Sequence, residues 1–290
     1  MTKTIDTVIE DVYSLFDPNH GHEPNEENLT AFAENLKEIL RTRLAKREPL
    51  NNPLRFSSLG RPDRQLWYMA QGAPQEDISA KTYFKFLYGD VIEQLLIFLV
   101  KEAGHEVTDE QKEVSVDGVK GHIDCKIDGV LVDVKSASPY GYGKFVKNEV
   151  HINDTFGYTQ QLSGYAQVET PEEPAAWLAM EKVNGSLSLA KLSTSIIKDY
   201  PVDERIAHLK EVIGSQEPPP RCYSDVPDGA SGNRKLDTGC SYCAFKHSCW
   251  EGLRTFLYAN GPRYLTKVVE TPRVPEVNDE PIESEVASTA

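Results

Sequence analysis

The chain has few cysteines, no long apolar run and no surplus of basic residues. Five cysteines in 290 residues are too few for a scaffold built on disulfides. The longest apolar run, LLIFLV at 95–100, falls far short of the roughly 20 residues that a membrane-crossing helix needs. The opening stretch MTKTIDTVIEDVYSLF lacks the basic start and apolar segment of a secretion signal. These absences predict an intracellular, cytoplasmic protein with no membrane partner. No internal repeat or low-complexity array is present, which excludes solenoids and fibres.

The shortage of base amounts to a formal charge of −14. Affinity for a phosphate backbone comes mainly from Lys and Arg, so this total argues against a nucleic-acid partner. Its distribution weakens the objection. Residues 1–30 hold seven acids against Lys3, and residues 270–290 hold six against Arg273, leaving −3 for the 239 residues between. The acid lies mostly at the two ends, which read as solvated tails.

The remaining composition, 39% hydrophobic and 26% charged, is that of a globular chain able to bury a full core. Leu29, Phe32, Leu36, Ile39, Leu40 and Leu44 recur at helical spacing, predicting an amphipathic helix with a core face that stops before Pro49. Lys37, Arg41, Arg43, Lys46 and Arg47 at its end either meet phosphates or form a solvated face. A second helix is predicted from Ala80 to Ala103, with Glu93 among apolar neighbours. There it either points to solvent or carries the cost of a buried carboxylate. Strands at 106–116, 119–127 and 130–137, a helix at 155–169, a hairpin turned by Asn184-Gly185 and a helix near 203–214 complete the order. This pattern predicts an α/β class with a central mixed sheet flanked by helices. The expected divisions are an acidic tail at 1–27, a helical region at 28–79, a core at 80–216, a cysteine-rich module at 217–268 packed on that core, and an acidic tail at 269–290.

The stretch GHIDCKIDGVLVDVKSAS at 121–138 carries the chemistry. An Asp128-Gly129 type I′ turn sets Ile127 against Val130, and the ladder then sets Asp124 opposite Asp133. Val130, Val132 and Val134 face one way, with Leu131, Asp133 and Lys135 the other. Ile123, Cys125 and Ile127 likewise alternate with His122, Asp124 and Lys126. Facing carboxylates about 5 Å apart repel by roughly 3–4 kcal/mol at an effective dielectric near 20. A proton on one acid, a pairing with Lys135, or a divalent cation would offset that. A hard cation such as Mg²⁺ or Mn²⁺ explains most, because such ions take carboxylate oxygens together with water and phosphate. Lys135 would then orient or deprotonate the attacking water and offset transition-state charge.

This stretch resembles the D…(D/E)xK core of the PD-(D/E)XK nuclease superfamily. FLYGDVIEQLL resembles the helix before the core in its RecB-type branch, and QQLSGYAQ resembles that branch's Q-x3-Y motif. The resemblance covers about residues 80–190 and implies a restriction-endonuclease-like fold. It also implies a metal site of Glu93, Asp124, Asp133 and the Val134 carbonyl, with Lys135, Gln161 and Tyr165 acting beside it. Many members of that branch carry a His on the first helix, where this chain has Asp90 to Glu93. His122 reads as a hydrogen-bonding strand residue.

Cys222, Cys240, Cys243 and Cys249 form C-x17-C-x2-C-x5-C, a spacing that suits a structural zinc or an iron-sulfur cluster. Cys125 falls on an apolar strand face and reads as core. GCSYCAFKHSCW resembles the C-terminal cysteine triplet of iron-sulfur nucleases related to the CRISPR-associated adaptation nucleases and the AddB-type helicase-nucleases. That resemblance favours a four-iron four-sulfur cluster over zinc. The upstream cysteine of that group has no counterpart in SSLGRPDRQLWY, so either Cys222 supplies the fourth thiolate or the cluster is altered, with His247 in reserve.

Together these readings imply a divalent-metal-dependent DNA exonuclease acting on single strands or duplex ends. DNA is the expected partner, with other recombination or replication proteins as further ones. An endonuclease of the same fold and a catalytically silent DNA-binding module with a structural zinc are the alternatives. PYGYGKFVKNE at 139–149 either stacks on bases through Tyr140, Tyr142 and Phe145, beside Lys144 and Lys147, or packs as an ordinary surface loop.

Overall fold

Strand alternation at 130–137 requires a partner for each face, and the fold supplies two. The structure, a computed structural model, describes residues 3–19, 21–45, 54–152 and 154–277. These fall into two units, one of Met1–Ala70 with Ile78–Pro218 and one of Gln71–Asp77 with Pro219–Ala290. The first unit opens with a 3-10 turn and α1 (Val8–Ser14), then α2 (Glu26–Leu44), α3 (Asp63–Ala70) and α4 (Ala80–Glu102). Strands β1 (Val107–Thr108), β2 (Glu113–Val116), β3 (Val119–His122), β4 (Cys125–Ile127) and β5 (Val130–Ala137) follow. Next come α5 (Pro139–Val146), α6 (Tyr158–Glu169), β6 (Ala175–Glu181), β7 (Leu187–Leu192), α7 (Thr194–Lys198) and α8 (Val202–Gly214).

The central sheet has the order β1-β4-β5-β6-β7 and is mixed, parallel between β5 and β6 and antiparallel elsewhere. On one face Val132, Val134, Ala176 and Leu178 pack with Ile92, Leu96 and Val100 of α4 and with Val8 and Val12 of α1. On the other, Leu131, Trp177 and Ala179 pack with Leu162 and Ala166 of α6 and Ile206 and Leu209 of α8. The predicted class, a mixed sheet with helices on both sides, is the one observed.

Several local expectations change. The turn holds, with Asp128 and Gly129 at φ 49° and 84° and Ile127 opposite Val130. The expected single strand over 119–127, however, breaks between β3, which pairs with β2, and β4, which pairs with β5. That break turns Ile123 to the α6 face while Cys125 and Ile127 stay on the α4 face. Asp124 therefore lies just beyond the β4–β5 ladder, not in a regular pair with Asp133. Residues 139–146, expected as a loop, form α5 because Ser138 caps it, its hydroxyl accepting from Gly141 N at 3.3 Å, with Pro139 at the first helical position. Phe145 is consequently core, and Tyr142 donates to the Leu187 carbonyl at 2.8 Å.

No residue of α2 is buried, contrary to its expected core face, although Phe32 stacks on Phe98 of α4 at 5.0 Å. The N-terminal stretch, expected as solvated tail, instead buries Ile5, Val8 and Val12. Lys46, Arg47, the stop before Pro49 and residues 278–290 of the C-terminal tail lie outside the described residues.

The second unit contains a sheet that the sequence reading lacked. Its order is β12-β10-β11-β9-β8, made of β8 (Val226–Pro227), β9 (Arg234–Lys235), β10 (Arg254–Tyr258), β11 (Gly261–Lys267) and β12 (Glu276–Val277). Phe245, Phe256, Leu236 and Leu265 are its most buried apolar side chains. Two short helices, α9 (Thr238–Ser241) and α10 (Lys246–Cys249), carry three of the cysteines or border them. Residues 71–77 join this unit: Glu76 N donates to the Ala244 carbonyl at 2.8 Å, and the Glu76 carboxylate pairs with buried Lys246. Among the described residues no helix is long and apolar enough to cross a membrane.

The place of α1 in the core is open to test. Val12→Ala is expected to cost about 1–3 kcal/mol in urea unfolding. Leu44→Ala, at a position 78% exposed, is expected to change stability by less than about 0.5 kcal/mol. Equal, negligible effects would return residues 3–15 to the status of a tail.

Candidate active site

The β4–β5 ladder ends at Cys125 opposite Val132, so β5 from Asp133 onward lacks a strand on that side. Asp124 fills the first gap with its side chain: its Oδ2 accepts the Val134 N–H at 2.7 Å. On its other side β5 stays paired with β6 as far as Ala137. Further along, α4 approaches β5 closely enough that a Cβ on Gly89 would lie 3.6 Å from Ser136 Oγ. Glu93 lies one helical turn beyond Gly89. Three elements thus bring Glu93, Asp124, Asp133 and Lys135 into one electrostatic neighbourhood.

Each of these groups is shifted by burial and by at least one of the others. Asp133 is 3% exposed and its Oδ2 lies 2.5 Å from Lys135 Nζ. Burial raises the Asp133 carboxyl above its ordinary range, against the opposing pull of Lys135. Asp124 is raised well above that range, by burial first and then by the charges of Asp133 and Glu93. Glu93 is pushed up to about 7 by burial, with Asp133 and Asp90 adding and Lys135 opposing. Burial works to lower Lys135, but the charges of Asp133 and Asp124 outweigh it, so its pKa rises and it stays an ammonium ion. The expectation that Asp124 and Asp133 repel through proximity holds, with Glu93 as a third participant.

The helix-borne residues fall beside this group. Tyr165 is 3% exposed, stacks on Phe56 at 4.9 Å and hydrogen-bonds with Gln161. Burial raises its phenol, and Asp133, Asp124 and Lys135 all act on it. Val134 presents its N–H to Asp124, with its side chain in the α4-side core. His122 is exposed, 3.9 Å from Glu113. Arg43, which the sequence left open as a phosphate contact, is committed to Asp90 through two hydrogen bonds, one of 2.8 Å.

Sequence reasoning missed four neighbours. Tyr158 holds its ring centroid 5.2 Å from Lys135 Nζ, and its place three residues before Gln161 put it on the same helix face. Asp154 acts on Asp133 and, through its carboxylate, caps α6. Gln111 donates to Glu93 at 3.0 Å, and Gln94 lies 3.5 Å from the same oxygen. Tyr158 had a legible signal in its helical spacing, and Gln94 in standing next to Glu93 on α4. Asp154 and Gln111 depend on loop paths.

In the second unit none of the five-cysteine complement's four members there is in a disulfide. Burial pushes the Cys240 thiol up to about 11, with Cys249 and Cys243 adding and Trp250 opposing. Cys243 is raised by burial, with Cys249 and Cys222 adding and the Phe245 N–H opposing. The Arg221 guanidinium lies 4.1 Å from the Trp250 ring and donates to the Cys249 carbonyl at 3.1 Å, which fixes the chain next to Cys222. His247 packs edge-on to Tyr264. Among the described residues no group of three or more His, Cys, Asp or Glu side chains stands ready to hold a metal ion.

No protein-family model and no curated protein matches the chain. Among solved structures it is similar to the crystal structure of SSO0001, with 16% identity and a TM-score of 0.40 over 74% of this chain and 94% of that one. It is also similar to the crystal structure of LHK-Exo in complex with dAMP, with 13% identity and a TM-score of 0.36 over 61% of this chain and 94% of that one.

A raised carboxyl pKa opposes folding once the group must ionise. Glu93 lies at about 7 in the fold against an ordinary value of 4.5, so its contribution is fully present below the lower value and is lost as pH rises through the upper one. Without divalent cation, stability against urea is expected to fall between pH about 4.5 and 7, and Glu93→Gln is expected to flatten that fall. An unchanged slope in the variant would remove Glu93 from the cluster.

Proposed function

We propose that this protein is a divalent-metal-dependent DNA exonuclease with a restriction-endonuclease-like, PD-(D/E)XK fold, hydrolysing phosphodiester bonds of single strands or duplex ends. The observation that carries this reading is the gathering of Glu93, Asp124, Asp133 and Lys135 from α4, the β4 edge and β5. Burial raises all three carboxyls, Asp133 and Glu93 add to Asp124, and Asp133 adds to Glu93, which makes a donor set that a hard dication would relieve. The chemistry of this donor set suits Mg²⁺ or Mn²⁺, and Glu93, Asp124, Asp133 and the Val134 carbonyl would be its holders, although as they stand these side chains do not form a ready ligand group. When bound, such an ion supplies Lewis acidity and an activated water for attack on phosphorus.

The chain's own groups do the rest. Lys135 remains charged, which suits it to offset negative charge on the reacting phosphate better than to accept a proton. Asp124 fixes the Val134 peptide and with it the course of β5 between Asp133 and Lys135. Gln161 and Tyr165 lock each other on the α6 face, leaving a neutral phenol beside the lysine. In the second unit Cys249 and Cys243 act on Cys240, and Cys249 and Cys222 act on Cys243, so the four cysteines share one neighbourhood. Cys222, Cys240, Cys243 and Cys249 would hold an iron-sulfur cluster, with zinc as the other candidate, as a structural cross-link.

Purified protein is expected to digest end-labelled linear DNA with Mn²⁺ and to lose that activity in EDTA. Asp133→Ala and Lys135→Ala are each expected to lower the rate at least about 100-fold. Cleavage of closed circular DNA would replace exonuclease by endonuclease, and activity surviving either substitution would refute the site. A brown protein containing iron and sulfide is expected. A colourless one with bound zinc would decide for the alternative metal.

A further inference from the structure

The loop that leads into α6 presents an aromatic ring to solvent in a fixed position. Phe156 is 58% exposed, and its ring stacks on Tyr158 with centroids 5.7 Å apart and planes inclined by 27°. Tyr158 in turn lies 5.2 Å from Lys135 Nζ and 6.4 Å from Phe145, which is 4% exposed. A row of rings therefore runs from the core, past the site lysine, to the surface. Singly exposed apolar residues are ordinary on protein surfaces. This one differs in being continuous with the lysine and in being held by a loop with defined contacts of its own.

Two contacts fix that loop. The Asp154 carboxylate accepts from Gly157 N at 2.9 Å and from Thr159 N at 2.6 Å, closing the turn around Phe156. Gly157, at φ 77°, lies against Gly60 so closely that a Cβ on either would come within 2.5 Å of the other's backbone. These contacts set the backbone on either side of Phe156 and stacking on Tyr158 seats its ring, which lowers the ordering that binding must supply. A flat apolar face with a tyrosine behind it and an ammonium group one ring away matches a nucleotide, whose base stacks and whose phosphate is anionic. A base inside a duplex is covered on both faces by its neighbours and a terminal pair offers only the flat outer face of both strands together, whereas an unpaired end base can turn its own face onto a single ring.

We infer that Phe156, backed by Tyr158, is the stacking platform for an unpaired base of single-stranded DNA, placing that nucleotide's phosphate toward Lys135. The inference rests on the nuclease reading above and narrows its substrate to ends with unpaired bases. Phe156 is a positioning residue that touches the substrate's base and not the reacting phosphate.

The test uses the full chain with Ca²⁺ and a single-stranded oligonucleotide carrying 2-aminopurine at its end, read by fluorescence quenching and anisotropy. Wild type and Phe156→Trp are expected to quench the probe. Phe156→Ala is expected to lose the quenching and to bind about tenfold more weakly. On a strand whose end is abasic, Phe156→Ala and wild type are expected to bind equally. Undiminished quenching by Phe156→Ala, equal weakening on the abasic strand, or no binding of single strands by folded wild type would each overturn the inference. Failure of the nuclease reading shows separately, as absence of Mn²⁺-dependent digestion by wild type, because quenching requires no cleavage.

Discussion

The hydrogen bond from the Val134 N–H to the Asp124 carboxylate stands where one more residue of β4 would have continued the ladder. Because β4 stops short, β5 carries Asp133 and Lys135 beyond its antiparallel partner while remaining anchored to β6. A strand left half unpaired would expose backbone donors, at a cost of roughly 1–3 kcal/mol for each one buried without a partner. A carboxylate satisfies one of them and at the same time brings a charge to the site. The same atom group closes the backbone and enters the chemistry, which ties the acidic cluster to the main chain.

That arrangement explains why the cluster is electrostatically uncomfortable without a cation. Asp124 is committed to a backbone donor, Asp133 to Lys135, and Glu93 receives neutral amide donors from Gln111 and Gln94. One ammonium ion faces three acids, and burial raises each of them. The fold holds the groups in place through apolar layers on both faces, so the strain is borne by packing elsewhere and not relieved by movement.

Local rules were legible in the sequence and non-local ones were not. The Asp128-Gly129 turn and the register beside it follow from a two-residue hairpin, and both are present. The α4, α6 and α8 helices fall near their expected limits because their apolar spacing is their own property. The split at Asp124 depends instead on where the β2–β3 hairpin goes, which no local pattern specifies. Residues 1–15 looked like a tail because their acids dominated the reading, although Ile5, Val8 and Val12 recur at helical spacing and are buried. In the second unit Ala259 and Asn260 turn the β10–β11 hairpin, with Gly261 opening β11, so an Asn-Gly pair marks this hairpin as it does the one at Asn184-Gly185, here set among cysteines and prolines. For the site, Glu93, Asp133, Lys135 and Tyr165 were named in advance, whereas Asp154 and Gln111 reach it through loops whose paths only the assembled fold sets.

The contact between Gly60 and Gly157 has a bearing on where the working domain begins. Motif matches start near residue 80, and a boundary drawn there leaves Gly60 outside. Yet the backbone at Gly60 is the wall against which the loop entering α6 is shaped, and Phe56 in the same segment supports Tyr165. Residues 54–60 thus act as a splint for the α6 end of the site, contributing form without contributing a reactive group. A glycine on each side of such a splint also means that neither position can be altered to accommodate a change in the other, so the two must be kept or lost together.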